Sequence, residues 1–86
     1  MKTDGCQGGR KNLVGEEVCR LRKQCGLSQK ELASRLQING CDISEVSVLR
    51  IEKGTRLVRD VELELLCRIL HTTPGLLLGF KKEPPD

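Results

Sequence analysis

The sequence predicts an all-α fold, a compact bundle of five short helices, and three observations lead there. Eighty-six residues, 37% of them hydrophobic, can enclose a single core and no more. Phe80 is the sole aromatic residue, so the core has to be built from Leu, Ile, Val and Cys, which at this size suits packed helices better than stacked sheets. Apolar residues also recur at three- and four-residue spacing between capping signals, and no stretch shows the period of two expected of a half-buried strand.

Residues 1–11 contain three glycines among mostly polar neighbours and read as a flexible arm with too little to bury. From Asn12 onward Leu13, Val14, Val18, Leu21 and Cys25 form one apolar stripe, with Glu16, Glu17, Arg20 and Lys23 pointing away; this is helix one, ended by Gly26. Ser28 with Glu31 three residues later is a reciprocal capping pair, and Leu27 before the cap can pack on Leu32, so helix two begins at Ser28. Asn39-Gly40 interrupts the pattern within "QINGCDI", residues 37–43. Ser44 then caps helix three, which runs to Lys53 and stops at Gly54. After the loop "TRLVR", Asp60 is the expected cap of helix four, whose stripe is Leu63, Leu66, Cys67 and Leu70, with His71 just past its end. Thr73-Pro74 opens a last short turn in "PGLLLG", and residues 81–86 read as a frayed tail.

Helix three carries two unlike faces. At about 100° per residue, Val48 and Ile51 fall together on one side, and Glu45, Val46, Leu49, Arg50 and Lys53 fall opposite. The first face anchors in a core; the second offers an acid, two aliphatics and two bases to a partner. The total charge of +3 is modest but unevenly placed: Arg50, Lys53, Arg56 and Arg59 stand within ten residues against Glu52.

Several functions are disfavoured. Cysteines 6, 19, 25, 41 and 67 are odd in number, contain no C-x-x-C and have only His71 as a possible imidazole partner, which argues against a disulfide framework or a zinc site. Cys19 and Cys67 occupy apolar helical positions and read as small buried hydrophobes, whereas the state of Cys6, Cys25 and Cys41, which could be exposed, stays open. No signal peptide or membrane span is indicated, so a cytoplasmic protein is expected. The sequence carries no nucleophile–base arrangement, phosphate-cradling glycine loop or paired metal ligands, and therefore no enzyme, cofactor or small-molecule effector is expected.

The central segments "LRKQCGLSQKELASRL", "ISEVSVLRIEKG" and "LELLCRIL" together resemble the phage-repressor and Cro-like family of helix-turn-helix DNA-binding domains. The resemblance spans residues 12–80. Its most specific pieces are Leu21-Arg22, Gly26-Leu27-Ser28-Gln29 with Glu31-Leu32-Ala33, and Ile51-Glu52-Lys53-Gly54. It implies a sequence-specific regulator of transcription bound to double-stranded DNA, with helix three in the major groove. By position it implies that Glu45, Val46, Leu49 and Arg50 read base edges, that Gln29, Lys53, Arg56 and Arg59 lie near phosphates, and that Arg22 and Glu52 form a structural ion pair. Such side chains suit the task, since Arg bonds guanine bidentately, Glu accepts from the cytosine amino group and aliphatics touch the thymine methyl. The family more often shows Gln, Ser, Thr or Arg where this chain has Glu45, Val46 and Leu49, and its helix-two to helix-three turn is shorter.

With no effector domain in 86 residues, repression by occupying an operator is the simplest expectation. A homodimer is expected because two half-sites multiply specificity, and residues 74–80 are its surface candidate. Two other readings remain open: a protein-interaction module that keeps the fold without DNA binding, with Val46 and Leu49 as its contact patch, and the DNA-binding antitoxin of a toxin–antitoxin pair.

Overall fold

The computed structural model describes residues 11–78, so residues 1–10 of the expected arm, the frayed tail, Cys6 and the 79–80 end of the dimer candidate lie outside the described residues. Five helices follow in order: α1 (Gly15–Gln24), α2 (Gln29–Ile38), α3 (Glu45–Lys53), α4 (Asp60–Leu70) and α5 (Pro74–Leu77), with no strand among the described residues. α3 packs against both α1 and α2, α4 lies across α1 and α2, and α5 closes on α4.

The core is aliphatic, built around Val18, Leu32, Leu36, Ile43, Val48, Ile51, Leu66, Leu70 and Leu77. Each such side chain, fully withdrawn from water, contributes roughly 1.5–3 kcal/mol. Val48 and Ile51 are the whole buried face of α3, which leaves the opposite face uncovered. Ala33, also buried, is small where α2 and α3 approach.

Helix one differs from its sequence reading at both ends. Asn12 Oδ1 accepts from the Val14 and Gly15 N–H groups (3.1 and 2.8 Å), so the helix starts at Gly15 and Leu13 turns outward, 77% exposed. The same amide's Nδ2 donates to the carbonyls of Ile51 and Arg56 (3.1 and 2.8 Å), clipping the start of α1 to the end of α3. At the other end Cys25 is exposed rather than part of the stripe, because the chain reverses there: Gly26 has φ +75°, and Leu27 N–H reaches back to the Arg22 carbonyl at 3.0 Å. A side chain at that φ would be strained.

α2 begins as its cap pair indicates, with Ser28 Oγ accepting from Glu31 N–H (3.0 Å) and Glu31 Oε1 accepting from Ser28 N–H (2.7 Å). It runs through Ile38, so the connector to α3 is 39–44 and not 37–43. This connector is seated. Cys41, whose state the sequence left open, and Ile43 are both buried, and Gln37 Nε2 donates to the Ile43 carbonyl at 2.8 Å. Burial pushes the Cys41 thiol above its ordinary range, with the Glu62 charge adding to it.

Asp60 is the first helical residue of α4 and not its cap. Arg59 holds the cap position, and its backbone N–H donates to Glu62 Oε1 at 3.1 Å. His71 closes α4 with φ +59°, a left-handed residue other than glycine. Thr73 Oγ1 accepts from Leu76 N–H at 3.2 Å and opens α5.

Candidate nucleic-acid interface

The outward face of α3 is organised from its N-terminus. Ser44 Oγ accepts from Ser47 N–H at 3.2 Å and fixes the first turn. From that turn Glu45 and Val46 project into solvent, Val46 being 52% exposed. Arg50 and Lys53 are exposed further along, and Leu49 is half-buried. All five expected face residues therefore share one solvent-facing side.

Behind the face sits a first buried carboxylate. Glu52 Oε2 accepts from Arg22 Nε at 2.6 Å, and Oε1 accepts from Arg22 Nη2 at 3.1 Å and from Gln29 Nε2 at 3.0 Å. Arg22 Nη1 donates to the Leu27 carbonyl at 2.8 Å. The two charged side chains are only 10% and 5% exposed. Four chain segments meet here: α1 through Arg22, the turn through Leu27, α2 through Gln29 and α3 through Glu52. Burial alone would raise the Glu52 carboxyl, but bonds from Arg22 and Gln29 hold it below the usual carboxylate range. Gln29, the expected phosphate contact at the start of α2, thus has its amide nitrogen on Glu52.

A second buried carboxylate follows α3, one that the sequence reading did not single out. Glu62 is fully buried, and Arg56 grips it with Nη1 on Oε1 (2.9 Å) and Nη2 on Oε2 (3.2 Å). Arg56 Nη1 also donates to the Leu57 carbonyl at 3.0 Å. Arg59 approaches from the other side, with Nε and Nη2 each 3.1 Å from Oε2. Burial would raise the Glu62 carboxyl, but Arg56 and the Arg59 N–H and guanidinium lower it below the ordinary range. A signal existed in the sequence: Glu62 stands four residues before Leu66, at a buried position of the α4 stripe, and three after Arg59.

The electrostatic consequence follows from where the acids sit. Between residues 44 and 62 the carboxylates of Glu52 and Glu62 are withdrawn into the molecule, whereas Arg50, Lys53 and Arg59 are exposed. Glu45 on the face itself and Asp60 at the start of α4 are exposed acids in this stretch. Among the described residues no group of three or more His, Cys, Asp or Glu side chains could hold a metal ion, and no helix is long and apolar enough to cross a membrane.

The family described as "Helix-turn-helix domain" matches residues 13–78, more than three quarters of the chain. The chain belongs to the helix-turn-helix family. Its α2 and α3 are the motif's two helices, and the 39–44 connector is the turn between them. Among solved structures, the domain is similar to the crystal structure of the P22 c2 repressor protein in complex with synthetic operator 9T in the presence of Tl+. The TM-score is 0.69 at 23% identity, over 81% of this chain and 98% of that one. At that identity the likeness is one of fold. No curated protein matches the chain.

Proposed function

We propose that this helix-turn-helix domain is a sequence-specific double-stranded DNA-binding regulator of transcription, a repressor that occupies its operator with α3 in the major groove. The observation that carries the reading is the outward face of α3, a cationic surface whose neighbouring carboxylates Glu52 and Glu62 are buried. A surplus of positive charge on an exposed helix face is what a phosphate backbone attracts. The likeness in fold to a repressor held on an operator supports the same reading.

In this reading Glu45, Val46, Leu49 and Arg50 meet base edges, and Gln29, Lys53 and Arg59 meet phosphates. Arg56 serves chiefly to hold the loop, since its fork is spent on Glu62 and Leu57. The protein acts in the cytoplasm as a homodimer, with residues 74–80 as the candidate contact. Selection of bound duplexes from a random DNA pool tests the proposal. It should yield one preferred sequence, on which Arg50→Ala costs about 1–3 kcal/mol and relaxes a single base pair. No enrichment over an unselected pool would refute it.

The exposure of Val46 beside Glu45 favours one second reading, a protein contact on the same face. Leu49→Asp would then abolish a protein complex, and the parent chain would bind no duplex tightly at low salt.

A further inference from the structure

Arg59 and Glu62 form an arrangement that goes beyond a surface ion pair. The Arg59 side chain is 69% exposed, yet its Nε and Nη2 edge is engaged by a carboxylate that is wholly buried. Glu62 cannot swing out to follow it, because its other contacts are the Arg56 fork and the Arg59 backbone N–H. The exposed guanidinium is therefore held in one orientation from inside the protein. Its Nη1 takes part in none of these bonds, so the end of the fork faces solvent, and that end is the geometry a phosphate accepts bidentately.

We propose that Glu62 is a positioning residue for DNA binding, fixing the Arg59 guanidinium so that its outer edge receives a backbone phosphate. The inference rests on the DNA-binding reading above. From Arg56 outward the charges alternate, cation, buried anion, cation, and the phosphate is the next member. Glu62 also leaves the outer Arg59 nitrogen with less rotamer freedom to lose on binding, which is how preorganisation raises affinity. The first turn of α4 is not itself the site: Asp60 is exposed there and already meets the positive end of the helix.

Positioning and simple charge make opposite forecasts. Removing the Glu62 carboxylate makes the protein more positive, which by field alone tightens DNA binding; positioning requires that it weaken. The test measures binding of the full chain to one fixed duplex across a salt series. Arg59→Gln should weaken binding about tenfold near 0.1 M salt and reduce the salt slope by about one. Arg59→Lys, with its charge kept and its fork lost, should weaken binding by about threefold or more. Glu62→Gln should weaken the parent but add nothing to Arg59→Gln, whereas a merely structural residue would weaken both backgrounds alike. Glu62→Gln binding as tightly as the parent overturns the proposal, and so does Arg59→Lys behaving like the parent. Should Glu62→Gln not fold, Arg59→Lys decides alone, since it alters an exposed side chain. A parent chain with no affinity for any duplex defeats the DNA-binding reading and this inference with it; a parent that binds beside an indifferent Arg59→Lys defeats this inference only.

Discussion

Glu52 and Glu62 are both buried carboxylates gripped by arginine, and they differ in where the positive charge leads. The partner of Glu52 is itself buried, with the Arg22 side chain 10% exposed and its remaining nitrogen on the Leu27 carbonyl. The partners of Glu62 lead outward in steps, from Arg56 at 29% to Arg59 at 69%. The first arrangement closes on itself and ties α1, α2 and α3 together. The second begins in the core and ends at the surface. Desolvation explains the division: a pair with both members buried has already lost its water and is held by its own bonds, while an exposed guanidinium keeps groups free for another anion. The comparison separates what holds α3 in place from what α3 and its loop can touch.

The largest expected effect breaks the closed arrangement. Arg22→Met or Glu52→Gln should lose about 3–5 kcal/mol in chemical denaturation, because each strands a buried charge or its donors. The double variant should cost much less than the sum of the two. Strict additivity in that cycle would mean that the two side chains do not support each other. The open arrangement should be more forgiving. Glu62→Gln should cost about 2 kcal/mol, since both released arginines can regain water; a loss as large as that of Glu52→Gln would erase the distinction.

Acid sharpens the same contrast. Both carboxylates have folded pKa values below their unfolded ones, so the stability they contribute is complete above the unfolded value and is lost as pH falls through the folded value. The melting temperature should hold above about pH 5 and decline below about pH 4.3, the ordinary glutamate value. Glu52→Gln should decline less steeply over that acid range than the parent, and equal slopes would show that this carboxyl does not titrate with folding. The smallest effect belongs to Gln29, whose half-buried, uncharged amide completes the closed arrangement. Gln29→Ala should cost about 1 kcal/mol of stability by removing one hydrogen bond to a charged group. It should also weaken all duplexes alike, and a change of sequence preference would assign it a reading role instead.

Local signals were legible in the sequence, and long-range ones were legible only in part. Ser28 and Glu31 cap each other across three residues, so the start of α2 could be read without any tertiary contact. The stop of α3 at Gly54 was equally local, because φ +80° there suits glycine. Asp60 misled because aspartate is a common cap by propensity, whereas here the longer Glu62 carboxylate reaches the Arg59 N–H and moves the helix start by one residue. Leu13 and Cys25 misled because apolar periodicity does not show where a helix ends. Asn12 takes the first N–H groups of α1, and the reversal at Gly26 turns Cys25 outward. Cys41 lay in a polar connector, and its burial depends on how Ile43 and Gln37 seat that connector. Arg22 and Glu52 are 30 residues apart, and only the family resemblance linked them before the structure placed them 2.6 Å apart. Glu62 had no such guide. A charge on an apolar stripe was the available sign.

The outward face of α3 carries Arg50 and Lys53 against the single exposed acid Glu45, with Glu52 and Glu62 withdrawn behind it, and in the proposed reading it is an electrostatic platform for DNA. The most direct test of that reading is the affinity of the parent chain for a random-sequence duplex, followed from low to physiological salt. Measurable binding is expected at low salt, with log K falling linearly against log salt by about 0.9 per phosphate engaged. Absence of measurable affinity for the duplex at low salt would contradict it.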